Sequence, residues 1–263
     1  MLRFNRKIHK SVVDDNIVEV SESNGVRSLH LGSVTIQSSM KVNAPFELEL
    51  AYTRGMMVFL LFSDNIKQVL TIGLGGGSVP KYIWQFCPTI TQTVVEINAQ
   101  IINIARSHFA VPDNDARLQV LLGDGIAYLN NHPNSADCLM IDAFDRHGIP
   151  PDFCSQAFFD ECESALTEAG IFAINLWGSD KNFDVYLQRI EQSFSNRTLM
   201  LPTGKPGNVV VFAFKKPVDL KIAHLRDRAK QLQHRLQQPH TIDFLSFLEK
   251  LCEHNSHNNK QFF

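Results

Sequence analysis

The stretch VLTIGLGGGSVPKY, residues 69–82, carries the clearest structural signal in this chain. A short apolar run opens onto glycines, and a helical pattern follows. The glycines are Gly73, Gly75, Gly76 and Gly77. Glycine lets the backbone approach a ligand closely, and the amide hydrogens at the start of the next helix point at the same place. The stretch therefore predicts a strand, a nucleotide- or nucleoside-binding loop and a helix.

The spacing of the glycines separates several kinds of binding loop. Gly73, Gly75 and Gly77 form the pattern G-x-G-x-G. A dinucleotide fold prefers G-x-G-x-x-G, and Ser78 stands where the third glycine of that pattern would be. A P-loop would end in Gly-Lys-Ser/Thr, which the stretch lacks. A plain tight turn is the alternative, although so many glycines are costly unless a close approach requires them.

From residue 69 onward, short apolar runs alternate with helical patterns. The runs read VLTIG, QTVVEI, LQVLLGD, CLMID and GIFAINLW, and NVVVFAFKK at 208–216 adds one more strand. Uniformly apolar strands are buried on both faces, so this pattern predicts an α/β fold with a mostly parallel sheet between helices. We place this Rossmann-like catalytic domain at residues 63–217. The lysines that follow NVVVFAF favour a position at the edge of the sheet.

The two ends of the chain have different patterns. Residues 17–37 alternate apolar and polar positions and are interrupted by SNG and GS, which predicts short antiparallel strands. A linking helix is expected from Phe46 to about Phe62, so residues 1–62 form a small N-terminal β domain. Apolar residues at helical spacing after residue 218 predict a helical C-terminal extension over 218–263, ending in a polar tail.

Composition excludes several classes of protein. The chain has 263 residues, of which 44% are hydrophobic and 20% charged, and a formal net charge of −2. Such a charge provides no basic field for nucleic acid or an anionic membrane, and no apolar run approaches the ~20 residues that span a bilayer. The five scattered cysteines are typical of reduced thiols. We expect a cytoplasmic protein with no nucleic-acid or membrane partner and no metal site.

Two acidic residues follow the next two strands. Glu96 ends TVVEI, about 20 residues beyond the glycines, where an acid can accept hydrogen bonds from ribose hydroxyls. Asp124 follows LQVLLG, where it can receive an adenine amino group. A solvated strand-end glutamate and a helix N-cap are the structural alternatives, and Asp124 can serve both roles.

Two further acids follow the fourth strand. Asp142 stands where CLMI ends, and Asp145 comes three residues later. In open α/β sheets the ligand crevice lies outside the carboxyl ends of the strands. Acids at that point suit a cationic partner, such as a protonated amine, and a carboxylate can accept the proton that the amine loses before attack. The alternative is that Asp145 caps a loop and Asp142 is only polar.

Together these segments resemble the spermidine synthase (polyamine aminopropyltransferase) family. The resemblance covers about residues 17–215 and lies in VLTIGLGGG, VVEI, GDG and DAFD, with VTIQSSM and LELAYTR ahead of them. It implies a methyltransferase-like Rossmann domain behind a small β domain, and a homodimer. It also implies decarboxylated S-adenosylmethionine as aminopropyl donor, an amine such as putrescine as substrate, and methylthioadenosine as product.

The resemblance assigns roles to individual residues. Asp142 would be the catalytic acid/base, and Asp145, Tyr52 and Gln37 would contact the amine substrate or line its cleft. The remaining residues would bind the donor nucleoside; they are Gly73, Gly75, Gly77, Glu96, Ile97, Asp124 and Gly125.

The chain departs from the family pattern at several points. The family's glycine loop contains an aspartate that binds the donor's amine, and Gly76 stands at that position here. The family's tyrosine before the last strands is replaced in LPTGKPGN by Gly204 and Lys205, and its glutamate after GIFAIN is replaced near Trp177. No counterpart is found for the glutamine that usually precedes the first hairpin. The donor pocket is thus kept better than the polyamine pocket.

Three other functions stay open at this stage. An S-adenosylmethionine-dependent methyltransferase explains the missing acid at Gly76, because an acid there would repel the donor's carboxylate. A non-catalytic nucleoside-binding homologue would keep the pocket without the chemistry. An NAD-dependent oxidoreductase ranks lowest, because Ser78 replaces a glycine and no hydride-transfer constellation of His or Tyr stands out.

Overall fold

The computed structural model describes residues 6–13, 16–33, 35–144, 148–204, 207–218, 220–236 and 242–257. These residues form two β-sheets and a set of helices, of which the last two follow the final strand. This confirms the α/β fold with a small antiparallel β unit in front and a helical extension behind. The domain boundaries at residues 62 and 217 stay predictions. No helix in the described ranges is both long and apolar enough to cross a bilayer.

The N-terminal sheet has four antiparallel strands in the order β1-β2-β3-β4. They are β1 Arg6–Val13, β2 Asn16–Ser23, β3 Val26–Leu31 and β4 Ser38–Lys41. Asn24 and Gly25 join β2 to β3 with positive φ angles of 52° and 74°, which match the right-handed twist of a two-residue hairpin. The sequence pattern missed β1, whose residues are rich in Lys and His and lack a clear alternation.

The second sheet has seven strands in the order β10-β11-β9-β8-β5-β6-β7. They are β5 Gln68–Ile72, β6 Thr91–Glu96, β7 Leu118–Leu122, β8 Ala136–Ile141, β9 Leu166–Trp177, β10 Thr198–Pro202 and β11 Asn208–Phe214. Strands β5 to β9 run parallel to one another, whereas β11 pairs antiparallel with β9, and β10 pairs antiparallel with β11. The prediction that NVVVFAF lies at the edge is wrong, because β10 pairs with its outer side.

Helices cover both faces of the larger sheet. They are α1 Ala51–Met56, α2 Ser78–Phe86, α3 Ala99–Phe109, α4 Gly125–Asn131, α5 Gln156–Ala165, α6 Phe183–Ser193, α7 Ile222–Arg235 and α8 Phe244–His257. Successive strand residues belong to different apolar clusters: Val69 packs with residues of α2, α7 and α8, and Leu70 with residues of α4, α5 and α6. Burial on both faces explains the uniformly apolar strands.

The linking helix is shorter than its sequence pattern predicts. Helix α1 begins at Ala51 rather than Phe46, and a 3-10 turn, Met57–Leu61, continues it. Glu47 and Glu49 precede the helix and approach the ammonium of Lys41, with N–O distances of 3.7 and 3.3 Å. The ion pairs with Lys41 hold this segment against β4, so the two acids do not form the first helical turn.

The order of the strands determines where a ligand can bind. Strands β6 and β7 continue from β5 on one side, whereas β8 and β9 lie on its other side. The loops after β5 and β8 therefore diverge at a switch point, and a crevice opens between them at the carboxyl ends of the strands. The glycine loop and Asp142 lie at this crevice.

Candidate active site

A cavity of about 810 Å³ lies at the carboxyl ends of β5, β6 and β8. The N-terminal sheet and the segment before β4 contribute Ile17, Val18, Leu31 and Gln37 to its wall, so the small sheet covers the switch point. A cavity of this size holds a nucleoside together with a small second substrate.

The glycine loop forms one wall of the cavity, and three of its glycines have positive φ angles. Gly73, Gly75 and Gly77 have φ angles of 93°, 53° and 63°, which residues with a side chain rarely adopt. Gly73 and Gly75 line the cavity together with Gly76. Gly77 is the N-cap residue of α2 and lies against Val111, so the structure places it behind the wall rather than in it.

Glu96 connects the end of β6 to the glycine loop. Its carboxylate accepts hydrogen bonds from the backbone amides of Leu74 and Asn98, each at 2.9 Å. Burial raises the pKa of Glu96, and these backbone amides counteract that effect. The glutamate therefore holds the loop in shape. It also lines the cavity, where a carboxylate can accept hydrogen bonds from the hydroxyls of a ribose.

The far end of the cavity lies beside the start of α4. Asp124 caps this helix by accepting hydrogen bonds from the amides of Ile126 and Ala127 at 2.8 and 3.2 Å, and it also lines the cavity. A side chain on Gly125 would collide with Ile72, so only glycine lets the helix start this close to β5. Ile97 lines the same end and is 72% exposed, so it can cover one face of a base.

Asp142 directly follows β8 and lines the cavity. Its Oδ2 accepts a hydrogen bond from the Tyr52 hydroxyl at 3.4 Å, and its Oδ1 accepts one from the Asn175 amide at 3.3 Å. Burial raises the pKa of Asp142 to about 6, and these two donors counteract the effect. The carboxylate is thus mostly ionised at neutral pH and remains basic enough to accept a proton.

Tyr52 and Gln37 lie at the cavity side of the N-terminal unit. The Tyr52 hydroxyl also lies 3.3 Å from the carbonyl oxygen of Gln37. Burial, and then the charge of Asp142, hold the pKa of Tyr52 well above its ordinary range, so its hydroxyl keeps its proton and donates. Both residues line the cavity, as does Asp142. Asp145 lies outside the described residues.

An uncharged wall stands beside the glycine loop. The buried hydroxyls of Ser38 and Ser78 lie 3.1 Å apart, and both residues line the cavity next to Gly76. A Cβ on Gly76 would stand 2.5 Å from the Ser38 Oγ and 3.0 Å from Phe109. An acid at position 76 would therefore need Ser38 and Phe109 to move.

Three residues at the site were not predicted from the sequence, namely Ser38, Asn175 and Asp152. Asn175 carries the clearest signal in the sequence, because it is a buried polar residue inside the apolar strand GIFAINLW, and buried amides need partners. Ser38 and Asp152 lie in segments without a motif, and they line the cavity only through the folding of the chain.

Comparison with known proteins gives three results. The model of the spermine/spermidine synthase domain matches residues 49–221. A polyamine aminopropyltransferase of Chromobacterium violaceum is 37% identical over 253 residues, which cover 96% of this chain and 95% of that protein. A crystal structure of spermidine synthase in complex with the transition-state analogue AdoDATO has a TM-score of 0.73 at 18% identity, covering 92% of this chain and 85% of that one.

A methyltransferase structure is also similar in fold. Human methyltransferase-like protein 13 in complex with SAH has a TM-score of 0.66 at 24% identity, covering 73% of this chain and 95% of that one. At this identity the likeness concerns the fold alone. The family model and the high mutual coverage with the bacterial relative agree with the motifs around the cavity, so this chain is a member of the spermine/spermidine synthase family.

Proposed function

We propose that this chain is an aminopropyltransferase that moves the aminopropyl group of decarboxylated S-adenosylmethionine to an amine such as putrescine. The observation that carries the proposal is the position of Asp142. This carboxylate lies at the switch point, in one cavity with the glycine loop and Glu96, and it is held by two neutral donors. A base beside a nucleoside site is what an amine nucleophile requires.

The donor nucleoside would lie along the carboxyl ends of β5 and β6. Asp124 and Ile97 would contact the adenine and Glu96 the ribose, which directs the sulfonium toward Gly73 and Asp142. The cavity is lined by Glu96, Asp124, Asp142 and Asp152, and no Lys or Arg lines it within the part of the chain that the structure describes. This excess of acids stabilises a sulfonium and an ammonium in one cavity.

The transfer itself is a displacement at carbon. An amine loses a proton to Asp142, and its nitrogen lone pair forms a bond to the propyl carbon that carries the sulfur. The carbon–sulfur bond breaks, and its electron pair stays on sulfur to give neutral methylthioadenosine. Alkyl amines titrate near ~10, so the carboxylate's task is to orient the amine and receive its proton as the nitrogen attacks. Holding both reactants in line supplies much of the acceleration.

The test measures methylthioadenosine release from decarboxylated S-adenosylmethionine with a panel of di- and polyamines. We expect release with at least one amine, and a fall of roughly 10²–10⁴-fold in turnover for Asp142→Asn at similar donor affinity. Asp113→Asn is the matched control, because that acid has a side chain that is 95% exposed. Unchanged turnover in Asp142→Asn would remove Asp142 from the mechanism, and no release with any amine would favour the non-catalytic homologue.

A second candidate is an S-adenosylmethionine-dependent methyltransferase. The uncharged wall of Gly76, Ser38 and Ser78 favours it, since a donor carboxylate meets no acid there among the described residues. Calorimetric titration with the carboxylated and decarboxylated donors separates the two functions, and mass spectrometry of the modified amine identifies the transferred group. We also expect a cytoplasmic homodimer, which sedimentation and fractionation of cells test.

A further inference from the structure

Asn175 is a buried amide that contacts the proposed base directly. It lies in β9 between the apolar residues Ile174 and Leu176, and it is 2% exposed. Its Nδ2 donates to the Asp142 Oδ1 at 3.3 Å. A buried amide in an apolar strand is costly unless both of its ends are hydrogen-bonded. The partner of its oxygen therefore decides how firmly the amide is held.

That partner is Asn208, at the start of β11. The Asn208 Nδ2 donates to the Asn175 Oδ1 at 2.9 Å. If the Asn175 amide turned over, its oxygen would face the carboxylate of Asp142 and its amino group would face the amino group of Asn208. Both contacts would be unfavourable, so the network sets the direction of the amide.

The backbone of Asn208 is held in place by strand pairing and by hydrogen bonds. Strand β11 pairs with β9 so that Asn208 stands opposite Trp177. The carbonyl oxygen of Asn208 accepts hydrogen bonds from the amide and the hydroxyl of Thr203, at 2.9 and 3.0 Å. Thr203 is buried. The backbone that carries the Asn208 side chain is therefore anchored by the hairpin of β10 and β11.

Resting on the aminopropyl transfer proposed above, we propose that Asn175 and Asn208 are positioning residues for this reaction. Asn208 fixes the amide of Asn175, and Asn175 holds Asp142 in its ionised form with the carboxylate turned toward the cavity. Among the described residues Asn208 does not line the cavity, and its side-chain amide bonds Asn175 rather than Asp142, so it acts through Asn175. The two amides thus form a chain of hydrogen bonds from β11, on the antiparallel side of the sheet, to Asp142 at the switch point.

The other ionisable groups of the cavity do not stabilise a negative charge on Asp142. Among the described residues that line the cavity, they are Tyr52, Glu96, Asp124 and Asp152. Three of these are acids, which do not favour a further negative charge, and Tyr52 keeps its proton. The neutral donors Tyr52 and Asn175 therefore oppose the desolvation of Asp142.

The experiment follows the acid limb of kcat/KM against pH, together with a carbon-13 NMR titration of the aspartate carboxyls. Asn175→Leu removes the donor at similar volume, and we expect the acid limb and the Asp142 titration to move up by about 1 pH unit. Asn208→Leu should move both by less, because Asn175 remains but can turn. The double variant should match Asn175→Leu, since Asn208 has no other route to Asp142.

A matched control separates positioning from general loss of stability. Asn255 is another buried amide, which bonds the backbone of Met200 from α8, away from the cavity. Asn255→Leu should lower stability without moving the acid limb. An unmoved titration in Asn175→Leu, or shifts that add in the double variant, would overturn the proposal. The NMR titration needs no turnover, so it still tests the positioning if aminopropyl transfer fails.

Discussion

Gly73 lies against the backbone of Asp142. A Cβ built on Gly73 would stand 2.5 Å from the carbonyl oxygen of Asp142, and the amide of Asp142 donates to Ile72 at 3.0 Å. The first glycine of the loop therefore lets the strand ends of β5 and β8 approach each other, in addition to admitting a ligand. Backbone contacts thus join Asp142 to the glycine loop.

This contact predicts different costs for two alanine substitutions in one loop. Gly73→Ala combines a positive φ with a collision against backbone, so we expect it to lower the free energy of unfolding by more than about 2 kcal/mol. Gly75→Ala is the matched control. Gly75 also has a positive φ, but its Cβ would meet nothing within 4 Å. It should cost about 1 kcal/mol. Urea unfolding measures both, and equal losses would contradict the collision.

Asp142 should make the free protein less stable as pH rises. Its pKa is raised from 3.8 to about 6, so the folded state binds the proton more readily than the unfolded state. The contribution of Asp142 to the free energy of unfolding is fully present below pH 3.8, the pKa in the unfolded state, and it is lost as the pH rises through about 6. The carboxyl is partly open to the cavity, so we expect Asp142→Asn to stabilise the protein by about 1–2 kcal/mol near pH 7.5, with little gain near pH 4.

Chemical denaturation at the two pH values checks this, without any substrate present. A gain of stability that accompanies a loss of turnover would identify Asp142 as a residue kept for function rather than for folding. Equal destabilisation at both pH values would show instead that the hydrogen bonds from Tyr52 and Asn175 dominate.

Lys81 gives stability the opposite dependence on pH. It is fully buried in α2, and its Nζ donates to the carbonyl oxygen of Phe109 at 2.8 Å. Burial lowers its pKa from 10.5 to about 7, so the unfolded state binds more protons between these values. The contribution of Lys81 to the free energy of unfolding should therefore rise by about 2 kcal/mol between roughly pH 7 and pH 9.

Lys81→Met should flatten this rise. Lys230→Met is the control, because that side chain is 61% exposed in α7. Urea unfolding across the same pH range measures all three proteins. A slope that survives in Lys81→Met would mean that another group causes it.

The uncharged wall predicts weak discrimination between the two donors. Calorimetry should give the native protein affinities for S-adenosylmethionine and its decarboxylated form within about tenfold, or about 1.4 kcal/mol. Ser38→Asp places a carboxylate beside Gly76 and should favour the decarboxylated donor by about tenfold more, because the charge attracts its ammonium and repels a carboxylate.

Ser38→Asn is the matched control for that substitution, since it has the same size and no charge. The ratio of the two affinities should stay near the native value in Ser38→Asn. A native preference of more than about a hundredfold for the decarboxylated donor would contradict the prediction. In that case an acid would have to reach the donor's amine from elsewhere.

Patterns along the chain were enough to predict several of the residues that line the cavity. Gly73, Glu96, Asp124 and Asp142 each stand at the end of an apolar strand, and parallel strands bring their carboxyl ends to one edge of the sheet. The apolar runs thus identify the strands of the central sheet, and the direction of the strands places these residues together at their carboxyl ends. Asp124 shows the limit of such a motif, because the residue is also the N-cap of α4.

The surroundings of Asp142 depend on contacts between distant segments. Tyr52 and Asp142 are 90 residues apart, and Asn175 reaches Asp142 across 33 residues because β9 lies beside β8. Ser38 meets Ser78 only where the N-terminal sheet packs over the glycine loop.

By itself, then, the sequence determined the α/β fold, the glycine loop and the acids at the strand ends, because local periodicity and strand polarity govern those features. Only the folded chain shows which neutral donors contact Asp142 and which uncharged side chains surround Gly76 in the described residues. Hydrogen bonds between side chains depend on strand order, register and close packing, and these are properties of the whole fold rather than of any one segment.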